Sequence, residues 1–99
     1  VMINLLNNAF DAVMEREGER RISIDLISVP PNRIRIRISN NGPLIEPELL
    51  EKIFVPFFTT KKNGSGIGLS ICQEIIKLHK GSLTVVVSSP GLTTFIIDI

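Results

Sequence analysis

Met2, Leu5, Leu6, Ala9, Ala12 and Val13 recur at the three-and-four spacing of one helical stripe, while Asn8, Asp11 and Glu15 fall toward a second side. The spacing predicts a helix from the first residue to about position 17, with Gly18 as a left-handed stop. The period then changes. Ile22, Ile24 and Leu26 alternate with Ser23 and Asp25, then Pro30, Pro31 and Asn32 interrupt, and Arg33 to Ile38 alternates basic and apolar residues one by one. This predicts a hairpin. With its turn centred near Pro31, the even-numbered apolar residues of both strands share one face, the register that a half-buried sheet needs. Arg33, Arg35 and Arg37 then line the opposite face, where Asp25 can pair with one of them across the strands.

After the polar loop from Ser39 to Pro43, a short helix is expected around Pro47 to Lys52, because proline suits a first helical turn and Glu48 and Glu51 favour early positions. Phe54-Val55-Pro56-Phe57-Phe58 reads as a core plug or as a hinge beneath a mobile loop. From Gly66 to about His79 the residues Ile67, Ile71, Ile75 and Leu78 keep helical spacing, and Gly81 is placed to cap the end. Leu83 to Val87 and Thr93 to Ile97 form a second hairpin around Ser89-Pro90-Gly91. The order of helix, two strands, short helix, glycine loop, helix and two strands predicts an α/β two-layer sandwich. Its sheet is expected to be mixed but mostly antiparallel, with helices on one face and a ligand crevice at the crossover between the hairpins.

At 99 residues, with 43% hydrophobic and 21% charged, the chain can bury one modest core. A formal net charge of +1 provides no broad positive field, so nucleic acid is not an expected partner and an anionic ligand must be held by local groups. Cys72, the single cysteine, sits within an apolar helical pattern and reads as a small core residue in a reducing compartment. No apolar run reaches the ~18 residues of a membrane helix, and the N-terminus lacks the build of a signal peptide. The expectation is a cytoplasmic domain with no direct membrane contact of its own, whether or not the parent protein is membrane-anchored. Because helical periodicity is under way at Val1, residues 1–99 read as one domain excised from a longer protein and truncated at its N-terminus.

The most distinctive chemistry lies in Thr59-Thr60-Lys61-Lys62-Asn63-Gly64-Ser65-Gly66-Ile67-Gly68-Leu69-Ser70. Two hydroxyls and two lysines lead into three alternate glycines and then into a helix. Such glycines let backbone N–H groups approach a polyphosphate, the helix N-terminus adds a positive dipole end, and lysine neutralises anionic oxygens. The spacing is neither that of the dinucleotide fingerprint nor that of the P-loop.

Four motifs in order carry a family resemblance. Asn4-Leu5-Leu6-Asn7-Asn8-Ala9, Asn40-Asn41-Gly42-Pro43, Phe54-Val55-Pro56-Phe57-Phe58-Thr59-Thr60-Lys61 and Gly64-Ser65-Gly66-Ile67-Gly68-Leu69 resemble the N box, first glycine box, F box and second glycine box of the ATP-binding domain of sensor histidine kinases. The resemblance covers nearly the whole chain and implies the Bergerat (GHKL) fold, with ATP and Mg²⁺ as ligands. It implies that Asn8 ligates Mg²⁺ through its amide oxygen, with Asn4 one turn earlier on the same face. It further implies that Lys61 and Thr60 belong to a short ATP lid, that Gly64, Ser65, Gly66, Ile67, Gly68 and Leu69 close over the phosphates, and that Ile45 walls the base pocket. Asn8 and Lys61 are the residues expected to act in catalysis. Phe54, Phe57 and Phe58 would anchor the lid.

Two positions depart from the family. Asn40 stands where an aspartate usually accepts from the adenine amine, and Leu44 stands where a glycine is usual. A neutral acceptor weakens that bond by roughly 1 kcal/mol, or about tenfold in affinity. Asn4 corresponds to a glutamate that activates water in the ATP-hydrolysing relatives, and an amide is no general base. The resemblance therefore implies transfer of the γ-phosphoryl group to a histidine on a separate dimerisation domain, for relay to a response regulator. The alternatives are a degenerate nucleotide-binding scaffold or another GHKL kinase or ATPase. His79, the only histidine, lies in a last helical turn where a basic residue complements the dipole, and is not the expected acceptor.

Overall fold

The computed structural model describes residues 1–58, 68–88 and 91–99. Its elements run α1 (Met2–Met14), β1 (Ile22–Val29), β2 (Arg33–Asn40), α2 (Pro47–Leu50), α3 (Gly68–Leu78), β3 (Ser82–Ser88) and β4 (Leu92–Asp98). The four strands form one sheet in the order β1-β2-β4-β3, and every neighbouring pair is antiparallel. The mixed component expected from the sequence is therefore not found among the described strands.

The first hairpin has the register that its alternation dictates. Ile24 faces Ile38, Leu26 faces Ile36 and Asp25 faces Arg37, so the pairing is symmetric about Pro31. The arginine face is paired as charge requires: Arg37 reaches Asp25 at 3.4 Å, and Arg35 makes a two-pronged contact with Asp98 at 2.7 and 3.2 Å. That contact holds the Asp98 carboxyl below its ordinary range, chiefly through the Arg35 hydrogen bond.

α1 and α3 cover one face of the sheet. Leu5 and Ala9 of α1 and Cys72 and Ile76 of α3 close on Ile38, Leu83, Phe95 and Ile97, and this is the core. α1 packs mainly on β2 and α3 on β3, which leaves the outer strand β1 little covered. Ile24 is 53% exposed and Leu26 73%, so the apolar face of the hairpin is half-buried only along β2. Cys72 is fully buried, as its place in the helical pattern predicts.

Helix ends differ from expectation in two places. α1 stops at Met14 rather than near position 17, and Gly18, with φ of 88°, turns the chain in the loop beyond it. α3 ends with Lys80 in the left-handed region at φ 61°, while the Gly81 N–H bonds back to the Ile76 carbonyl at 3.0 Å. Gly81 is required for a different reason than capping: a Cβ there would collide with the Asp98 carbonyl oxygen and the Ile99 side chain. The Phe cluster is divided. Phe54 meets Phe95 edge-on at 6.4 Å, acting as a core plug, whereas Phe57 is 77% exposed with φ of 70°.

Candidate nucleotide site

The buried stripe Leu5, Ala9 and Val13 fixes the rotation of α1 against the sheet. The neighbouring row, Asn4, Asn8 and Ala12, is thereby brought to the border of the helix layer. Each end of this row meets a glycine. At Gly42 an added Cβ would lie 2.5 Å from the Ala12 carbonyl oxygen and 2.9 Å from the Ala12 Cβ, so the loop after β2 packs bare backbone against the last turns of α1. At Gly68 the nearest atom to such a Cβ is Asn4 Oδ1 at 3.5 Å, which places the start of α3 beside the Asn4 amide. From Asn4 to Ala12 is about 12 Å along the helix at 1.5 Å per residue, and Asn8 lies midway.

Asn8 is half-buried and Asn4 exposed on this row. The first turn of α3 carries no acidic side chain, so its dipole end is left positive, and Lys77 complements the other end. Amide oxygens at Asn4 and Asn8 are hard, neutral donors of the kind a Mg²⁺ bound to phosphate accepts, so the donor set fits that ion. Ile45 and Leu69, partly buried, pack against the core cluster.

The loop after β2 is built by its two asparagines, which divide the work. Asn41 is structural: its Oδ1 accepts from the Arg21 N–H at 2.8 Å, its Nδ2 donates to the Glu19 carbonyl at 3.0 Å, and its own carbonyl accepts from Arg16 at 3.2 Å. Asn40, at the end of β2 and 3% exposed, accepts from the Gly42 N–H through Oδ1 at 3.0 Å. Leu44 causes no left-handed strain, since among the described residues only Phe57 and Lys80 adopt that conformation without being glycine.

Sequence reasoning missed one residue. Thr93 is the cross-strand partner of Asn40 and is 2% exposed, yet its Oγ1 has no hydrogen-bond partner among the described residues. A buried orphan hydroxyl is uncommon and points to a ligand or water at that position. The tract Thr93 to Ile97 reads only as a strand, and nothing in it distinguishes this threonine from Thr94, whose hydroxyl bonds Ser39 at 2.8 Å. Thr60, Lys61, Gly64, Ser65, Gly66 and Ile67 lie outside the described residues. His79 lies just past the last turn of α3, at the opposite end of that helix from Gly68, with a ring nitrogen 2.8 Å from the Ile75 carbonyl.

A helix row bearing two amides, bounded by two glycine contacts on an α/β sandwich, marks a candidate polyphosphate site. The chain belongs to the family of histidine kinase-, DNA gyrase B- and HSP90-like ATPases, whose model matches residues 1–99. It is 43% identical over 89 residues to the two-component sensor PprA of Pseudomonas aeruginosa, covering 85% of this chain and 10% of PprA. It is 41% identical over 91 residues to the signal transduction histidine-protein kinase AtoS of Escherichia coli, covering 92% of this chain and 14% of AtoS. The chain thus spans only a small part of the curated relatives it matches. Among solved structures, the catalytic domain of histidine kinase ThkA superposes with a TM-score of 0.83 at 40% identity, over 99% of this chain and 62% of that one. The mycobacterial sensor histidine kinase MprB gives 0.84 at 28% identity, over 98% and 67%. These neighbours share the sandwich described above. Among the described residues no helix is long and apolar enough to cross a membrane.

Proposed function

We propose that this chain is the catalytic ATP-binding domain of a two-component sensor histidine kinase, working in the cytoplasm within a longer protein. The observation that carries the reading is the placement of Asn8 between the Gly42–Ala12 contact and the Gly68–Asn4 contact on one helix face. The relatives bear the names of sensor kinases, and ThkA has also been solved in complex with the response regulator protein TrrA, in a structure that matches this chain at 36% identity and a TM-score of 0.78, over 99% of this chain and 26% of that one.

In this reading ATP lies along the α1 row, with its base near Asn40 and Thr93 and its phosphates near Asn4, Asn8 and the start of α3. Asn8, with Asn4 beside it, would hold a Mg²⁺ ion, which when bound neutralises phosphate charge. Lys61 and Thr60 supply further phosphate contacts from the lid, and the Gly64 to Leu69 turn supplies backbone donors. Ile45 walls the base. Asn4 has no basic lone pair at neutral pH, so bound water is not activated and the γ-phosphoryl group is kept for another nucleophile. That nucleophile is an imidazole nitrogen on a separate helical dimerisation domain. The P–N bond forms as the bond from the γ-phosphorus to the bridging oxygen breaks, and ADP departs with the electron pair. The chain's contribution is positioning and charge neutralisation. A response-regulator aspartate is the next acceptor.

Calorimetric titration with Mg–ATP, followed by incubation with the parent's dimerisation domain and labelled ATP, tests this. Nucleotide binding, negligible phosphate release by the chain alone and label on a histidine of the added domain are expected. No heat at millimolar nucleotide would exclude the kinase and favour a scaffold, while steady phosphate release by the chain alone would point to an autonomous ATPase.

A further inference from the structure

The end of β2 carries a fixed donor. The Gly42 N–H can be satisfied only by oxygen, so its 3.0 Å bond to Asn40 orients the amide: Oδ1 is turned into the loop and Nδ2 occupies the other limb. An aspartate in the same pose would still offer a second acceptor oxygen. Asparagine offers two N–H donors instead. Directly across the strands, Thr93 Oγ1 is buried and unpartnered among the described residues, and a hydroxyl can donate or accept.

We infer that Asn40 is a specificity-determining residue that admits 6-oxo purine nucleotides, those of guanine or hypoxanthine, at least as well as adenine nucleotides. This rests on the nucleotide site proposed above. The exocyclic amine of adenine is a donor, and against Nδ2 it sets two donors face to face in a site where both residues are almost fully buried. A 6-oxo purine places an acceptor there instead. Its O6 accepts from Nδ2, and its N1–H can donate to Thr93 Oγ1. Unmatched buried polar groups discriminate between ligands far more strongly than small differences in apolar contact do. Asn40→Asp would restore an acceptor and reverse the preference.

The test uses Mg–ATP and Mg–ITP, since hypoxanthine carries the 6-oxo group without the extra amine of guanine. Both are titrated by calorimetry into the wild-type chain and Asn40→Asp. The ratio of the ITP to the ATP dissociation constant should be one or below for the wild type, and Asn40→Asp should raise it at least threefold, with about tenfold expected. A wild-type ratio above one, or a ratio that the substitution moves by less than threefold, overturns the inference. If Asn40→Asp fails to fold, the wild-type ratio decides alone. ATP bound with ITP excluded defeats this inference while leaving the nucleotide site standing, whereas heat from neither nucleotide defeats both.

Discussion

Gly42 and Ala12 touch backbone to backbone: a Cβ on the glycine would lie 2.5 Å from the alanine carbonyl oxygen and 2.6 Å from its carbon. Neither obstacle is the end of a flexible side chain, so the loop or the helix must move to admit one methyl group. Gly42→Ala is therefore expected to cost about 1–3 kcal/mol of stability, the usual range for overpacking, and to weaken Mg–ATP binding by displacing Asn40. Denaturant unfolding beside nucleotide titration checks both effects. Unchanged stability would show that the contact is looser than described.

Asn8→Ala separates site from scaffold. Alanine has the better helix propensity, so stability should stay within about 1 kcal/mol of the wild type. Mg–ATP affinity should fall at least about tenfold. With the metal removed by chelation, wild type and variant should bind ATP alike, because the lost group is a ligand to the ion. A variant that still binds Mg–ATP normally removes Asn8 from the site.

The uneven cover of the sheet predicts an uneven mutational response. Ile38 is fully buried beneath the helices, and Ile38→Ala should cost about 2–5 kcal/mol. Leu26, on the same face two strand positions out from the neighbour of Ile38, is 73% exposed, and Leu26→Ala should stay within about 0.5 kcal/mol. Equal losses on chemical denaturation would mean that β1 is covered after all.

Asp98 predicts an acid dependence of stability. Its folded pKa is lowered, first by the Arg35 hydrogen bond, so the unfolded chain binds the proton more readily. The contribution is complete above the ordinary carboxylate range near 4 and is lost as pH falls through the lower folded value. Thermal midpoints followed from pH 6 to pH 2 should fall in acid, and Asp98→Asn should flatten part of that slope. An identical slope in the variant would assign the acid sensitivity elsewhere.

Much of this fold was legible because period-two alternation constrains register tightly: symmetry about Pro31 follows from Ile24, Leu26, Ile36 and Ile38 having to share a face. The Asp25–Arg37 pair follows from the same register. What alternation does not encode is lateral position in the sheet, so the exposure of Ile24 and Leu26 on an outer strand could not be read from the pattern. Helix ends depart from the local pattern where tertiary contact outranks local preference. Lys80 takes the left-handed cap, while Gly81 leaves the space that the Asp98 carbonyl fills. At the site, Asn4, Asn8 and Gly42 were marked by their motifs. Thr93 was not, since its significance arises only from standing opposite Asn40 with no hydrogen-bond partner for its hydroxyl among the described residues. The engagement of Asn40 Oδ1 by Gly42 is likewise a matter of loop geometry, invisible in residue identity.

The most direct test of the central claim is amide chemical-shift mapping of the nitrogen-labelled chain during titration with Mg²⁺ and a non-hydrolysable ATP analogue. The largest shifts should fall on Asn4 to Asn8, on Asn40 to Gly42, on Thr93 and on the first turn of α3 from Gly68. Shifts concentrated instead on the arginine face around Arg33, Arg35 and Ile96, or no saturable shift at millimolar nucleotide, would contradict a nucleotide cleft along α1.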